Sequence, residues 1–179
     1  EGLYTDIFSD ITKYLDNSDI TIGTYETDVT EDTKVFANAV KEAGVDLVTL
    51  AHNHALDNGE EGLETTQNYL ESIGIETVGK YSEEVQDRIK IIEEKGVKIA
   101  ILSYTYDNGE TGVNIYSEEL ASEDLAYANE NADFTIVLMH WGDVYKEKPN
   151  STQKAQAQFL VNNGADIIIG AHPSVVEPM

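Results

Sequence analysis

Only four histidines occur among 179 residues, and each comes directly after an apolar run. His52 and His54 follow VDLVTLA (45–51), His140 follows FTIVLM (134–139), and His172 follows ADIIIG (165–170) with one alanine between. A single imidazole at a strand end commonly satisfies a loop carbonyl. Histidines used as general surface groups would also fall on helix faces, and here none does, so the joint pattern points to a shared site. Neutral imidazole is the commonest nitrogen ligand for zinc, iron and manganese, and carboxylates or an asparagine carbonyl complete sites of mixed nitrogen and oxygen ligation. Glu26 offers such a carboxylate at the end of the β-branched and aromatic run 20–25. Asp57 is placed either to hold a neighbouring imidazole or to cap the helix after it. Gly142 and Gly170 allow sharp turns beside His140 and His172. Trp141, the only tryptophan, is either a pocket wall or a packing residue.

Alternating strands and helices must position these residues. Residues 7–15 carry apolar positions at helical spacing, and 20–25 read as a strand. Thr30, with Glu31 and Asp32 in the first turn, opens a helix to Ala43 that Gly44 stops. The run 45–51 is a buried strand, 60–73 a helix with Leu63, Tyr69, Leu70 and Ile73 inward, and 75–78 a short strand. Two apolar runs between 87 and 105 flank Glu93-Glu94-Lys95-Gly96, a hairpin signal. Helix 117–131, strand 134–139, helix 151–163 ended by Gly164 and strand 165–170 complete the chain. This α/β order predicts a largely parallel sheet covered by helices, with one antiparallel hairpin and ligands at the carboxyl ends of the strands.

Composition narrows the partners. Eleven Lys and Arg against 34 Asp and Glu leave a net charge of -23, and no basic cluster is present to bind a phosphate backbone, so nucleic acid is excluded as a partner. An anionic substrate needs a cation to hold it. The absence of cysteine excludes disulfides and thiolate metal sites but not any compartment. No apolar run approaches the roughly 20 residues of a membrane span.

Longer motifs carry a resemblance. The stretch LAHNHALDNGEEGLETTQNYLESIGIETVG (50–79) resembles the Ala-Asn-Asn-His-Ala-Leu-Asp segment of the bacterial poly-gamma-glutamate capsule-synthesis (CapA) family. GVKIAILSYT (96–105), MHWGDVY (139–145), GADIIIGAHPSVVEPM (164–179) and FSDITKYLDNSDITIGTYET (8–27) extend it over nearly the whole chain. The family is similar to calcineurin-like metallophosphoesterases, so the resemblance implies a layered α/β/β/α sandwich with metal ions at the strand ends. It implies Asn53, His140 and His172 as metal ligands, Glu26 in the place of the bridging carboxylate, and His54 as donor to a scissile phosphate or leaving group, with Asp57 beside it. Three motifs depart from the family: His52-Asn53-His54 for Asn-Asn-His, Thr24-Tyr25-Glu26 for Asn-Leu-Glu, and His172-Pro173-Ser174 for His-Pro-His. Ser174 thus stands where a ligand is expected. The family's first strand and closing strands fall outside 1–179, which is expected to be a single domain from a longer parent chain. One or two divalent ions (Mn, Fe or Zn) are expected, one being the safer number.

The resemblance implies a capsule-biosynthesis protein that hydrolyses a phosphoester or processes the polymer with the help of a metal. A non-catalytic envelope component that binds or exports poly-gamma-glutamate is the alternative, and a small-molecule-binding domain with structural histidines is a third reading. Expected partners are an anionic polymer or a phosphate-containing small molecule, and other capsule-synthesis membrane proteins. The expected place is the outer face of the bacterial envelope, with anchoring through an N-terminal segment outside this chain.

Overall fold

The computed structural model describes residues 7–106 and 112–178. The chain divides into two compact units, one from Glu1–Leu50 with His54–Thr77 and the other from Ala51–Asn53 with Val78–Met179.

In the first unit, α1 (Ser9–Leu15) precedes β1 (Ile22–Thr24), α2 (Lys34–Glu42), β2 (Leu47–Thr49), α3 (Gly59–Ser72) and β3 (Glu76–Val78), whose last residue belongs to the second unit. The strands form a sheet of order β1-β2-β3, with β1 and β2 parallel. The second helix starts three residues later than the acidic first turn after Thr30 suggests, with Thr33 and not Thr30 at its cap position. Thr30 N–H donates to Thr33 Oγ1 at 2.7 Å and Thr33 N–H to Thr30 O at 3.1 Å, which closes a separate turn before the helix. Gly44 and Gly74, at φ +95° and +82°, take the left-handed conformation that ends α2 and α3. Helix α3 buries Leu63, Thr66 and Leu70, while Tyr69 and Ile73 are only half-buried. Thr66 is inward because its hydroxyl accepts Val29 N–H at 2.8 Å.

In the second unit, α4 (Val85–Arg88), β4 (Lys90–Glu94), β5 (Val97–Thr105), α5 (Glu118–Asn131), β6 (Phe134–His140), α6 (Ser151–Asn162) and β7 (Ile167–Ala171) follow in order. Strands β4 and β5 form the expected hairpin, with Lys95 and Gly96 both at positive φ (53° and 81°), the requirement of a tight primed turn. The sheet runs β4-β5-β6-β7, and β5, β6 and β7 are parallel. The strands therefore make two sheets, where alternation alone predicts one. Periodicity identifies strands but not their partners, and β4 starts a new sheet by pairing with β5. The fold class is α/β, as expected.

Both later helices are capped by side chains. Ser117 accepts Leu120 N–H at the start of α5. Asn150 and Gln153 exchange side-chain and backbone bonds in a capping box at α6. Ala100, Leu102 and Tyr104 of β5 and Val137 and Met139 of β6 join Leu125, Ala128 and Leu160 of the helices in one core. At its edge lies a buried ionic cluster. Arg88, 2% exposed, donates Nε and Nη2 to Asp124 Oδ1 at 2.9 and 2.7 Å, and Nη1 to the carbonyls of Ser82 and Glu83. Tyr104 OH donates to Asp124 Oδ2 at 2.7 Å. Burial first, then the Asp124 charge, holds the Tyr104 hydroxyl well above the ordinary phenol value, so it remains a donor.

Two substitutions test this packing. Asp124→Ala leaves the buried guanidinium without its main counter-charge and should cost about 3–5 kcal/mol in urea unfolding. A Cβ on Gly170 would meet Trp141 Nε1 at 2.7 Å. Gly170→Ala should therefore displace the indole, cost about 1–3 kcal/mol, and shift the emission of the only tryptophan to the red.

Candidate metal centre

Parallel pairing brings three strand ends to one line. Thr105 at the end of β5 is registered with His140 at the end of β6, and His140 with Ala171 at the end of β7. Side chains alternate across a strand. Tyr104, Met139 and Trp141 face the helix-packed core, so Thr105 and His140 face the other way. Tyr106 and His172, the residues after β5 and β7, flank His140. Ala51–Asn53, the residues leading out of the β2 loop, belong to this same unit.

His140 is 2% exposed, and its Nε2 lies 2.7 Å from Asn53 Oδ1. The His172 ring is 4.8 Å from that of His140, centre to centre, and the His52 ring is edge-on at 6.1 Å. Tyr106 stacks along His140 at 6.4 Å and tilts over His172 at 5.3 Å. His172 has φ +97° and Ser174 φ +59°. A left-handed conformation at a residue other than glycine costs on the order of 1–3 kcal/mol and persists where the surroundings impose it. Tyr145 N–H, donating to Pro173 O at 2.8 Å, is one such restraint.

These donors fit a metal in their chemistry. Two imidazole nitrogens and an amide oxygen suit zinc, iron or manganese, and ligand atoms about 2.1 Å from one ion lie roughly 3 Å apart at a right angle, close to the observed His140–Asn53 separation. Among the described residues, no group of three His, Asp or Glu side chains is arranged to hold an ion, so the set reaches three donors only with Asn53. Ser174 Oγ turns toward the His172 carbonyl at 3.4 Å.

The other expected residues belong to the first unit. His54 Nδ1 is 3.0 Å from Asp57 Oδ2, and both side chains are exposed. The N-cap of α3 is Asn58, so of its two readings Asp57 takes the one that holds an imidazole. Glu26 is exposed, two residues beyond β1, beside a cavity of about 450 Å³. The adjacent Tyr25 is buried, and burial, then Tyr69 and Asp28, push its hydroxyl up to about 12. Tyr106 is not singled out by its residue type, although it follows an apolar run as the histidines do. His52 forms part of the histidine pattern without an assigned role.

The capsule synthesis family described as "Bacterial capsule synthesis protein PGA_cap" matches residues 2–179. "Capsule biosynthesis protein CapA" of Bacillus anthracis is 32% identical over 202 residues, covering 96% of this chain and 49% of that protein. The chain thus spans about half the length of this relative. Two solved structures share the fold. A hypothetical protein from Thermus thermophilus superposes with a TM-score of 0.65 at 20% identity, over 95% of this chain and 62% of that one. The Staphylococcus aureus "Putative 5'-Nucleotidase", in complex with alpha-ketoglutarate, gives 0.61 at 14% identity, over 94% and 38%. The chain shares the α/β fold of these two structures, and it belongs to the bacterial capsule synthesis protein family PGA_cap.

Proposed function

We propose that this chain serves capsule-polymer synthesis as a metal-dependent hydrolase acting on a phosphoester or on the poly-gamma-glutamate chain, with His140, His172 and Asn53 holding a divalent manganese, iron or zinc ion. The observation that carries this reading is the 2.7 Å approach of His140 Nε2 to Asn53 Oδ1 with the His172 ring beside it. A divalent ion in such a site supplies Lewis-acid charge toward a phosphoryl or acyl oxygen. The cation is also what a chain of net charge -23 needs to hold an anionic substrate. Burial and the Tyr106 ring fix the orientation of His140. In the first unit His54 Nδ1 is bonded to Asp57, and the family resemblance gives His54 the part of a proton donor.

Family membership supports a place at the bacterial envelope, alongside other capsule-synthesis membrane proteins. Among the described residues no helix is long and apolar enough to cross a membrane.

A second reading, a non-catalytic component that binds or exports the polymer, is favoured by one feature. Ser174 occupies the position of an expected ligand and turns to a backbone carbonyl. Metal content separates the two readings. Elemental analysis of protein purified without chelator or tag nickel should find near-stoichiometric manganese, iron or zinc. His140→Ala and His172→Ala should each lower that content roughly tenfold or more while keeping the wild-type circular dichroism spectrum. Metal-free protein in all three preparations would leave the second reading in place.

A further inference from the structure

Beside His172 the second unit holds a hollow of about 440 Å³, walled by Tyr106 and Trp141 and floored by the first turns of α6. It is continuous with the imidazole cluster, because Tyr106 and His172 belong to both. Its polar groups divide into committed and available ones. Asn150 accepts Gln153 N–H and donates to Asp143 Oδ2, each at 2.9 Å. Gln153 accepts Asn150 N–H at 2.9 Å and donates to Glu177 at 2.7 Å. Both of these side chains are tied into the capping box and its neighbours. Thr152 and Gln156 lie four residues apart, hence on one face of α6. Among the described residues neither side chain is engaged in a hydrogen bond, and both line the hollow.

Charge narrows what can enter. No Lys or Arg lines the hollow, and one carboxylate, Asp143, does. The residues outside the description, 1–6, 107–111 and 179, include no Lys or Arg either, so none of them can supply a cation. In a protein of net charge -23, a hollow lined by a carboxylate and by no Lys or Arg disfavours an anion. A carboxamide and a hydroxyl each both donate and accept, and an aromatic wall favours the apolar face of a ring or planar group.

We infer that this hollow binds the uncharged part of the substrate, a hydroxyl- or amide-bearing unit such as a sugar ring or a peptide-type amide, held by Thr152 and Gln156 beside the imidazoles. The anionic part of the same substrate is directed to the ion. The assignment rests on the metal-centre reading for its place in the reaction, but not for binding.

Trp141, the only tryptophan, lines the hollow and reports on it. Its emission is followed on chelator-treated and on manganese-loaded protein during titration with N-acetylglucosamine, glucose, N-methylacetamide, inorganic phosphate and gamma-glutamylglutamate. N-acetylglucosamine should give a saturable change of equal affinity in both preparations. Gln156→Ala should weaken it about fivefold, the loss expected of one hydrogen bond, with an unchanged unfolding midpoint. A response to glucose assigns recognition to hydroxyls, and one to N-methylacetamide assigns it to the amide. Silence from every uncharged probe, tighter binding of either anion to the chelated protein, or an unaltered affinity in Gln156→Ala overturns the proposal. Saturable binding by a chain that takes up no manganese keeps the hollow and removes the metal reading; manganese uptake with no uncharged ligand does the reverse.

Discussion

The parallel, in-register pairing of β5, β6 and β7 is the constraint on which the candidate centre depends. Because Thr105, His140 and Ala171 stand level across the three strands, the residues that leave each strand emerge side by side. A one-residue slip of β6 against its neighbours would turn His140 to the opposite face and into the helix-packed core. The core therefore fixes the site indirectly. Val137 and Met139 are held on the helix side by burial, and that fixes where His140 must point. The hairpin turn at Lys95–Gly96 acts at the other end of β5, setting where that strand begins.

Much of this is legible in the sequence, for reasons that also explain what is not. Apolar runs mark buried strands, and a histidine immediately after such a run is at a strand end whatever the sheet order. His140 and His172 can thus be assigned without any knowledge of pairing. Pairing itself is non-local, so the division into two sheets cannot be read from alternation; the family resemblance carries it instead. The start of α2 is misleading because Thr30 has both the cap chemistry and the acidic first turn of a helix start. The competing hydroxyl of Thr33 decides the outcome three residues later. Tyr106 escapes notice because a tyrosine after an apolar run reads as the run's continuation, and only its ring contacts with His140 and His172 show it beside the imidazoles. The burial of Thr66 is likewise invisible, since it depends on the backbone of Val29, 37 residues away.

Acidity and ligand chemistry divide the labour in the second unit. Its buried cation, Arg88, is used up by Asp124, Glu123 and two carbonyls, so it is no anion receptor. Under the proposed function, with Arg88 committed to these partners, a negative ligand would be held by a divalent ion. Neutral groups meet amides, hydroxyls and aromatic faces instead. The two proposals together would assign recognition of charge and recognition of shape to separate parts of the second unit.

The backbone at His172 bears on how this position can change through descent. A left-handed angle of +97° is adopted most easily by glycine and less readily by asparagine, aspartate or histidine, so most other replacements there add strain. A lineage that had stopped needing an imidazole at the end of β7 would have an easy downhill step available and nothing to hold it back. At an angle that favours glycine, the chain carries a side chain whose ring lies 4.8 Å from that of His140, so replacing His172 by glycine would remove the ring while relieving the backbone.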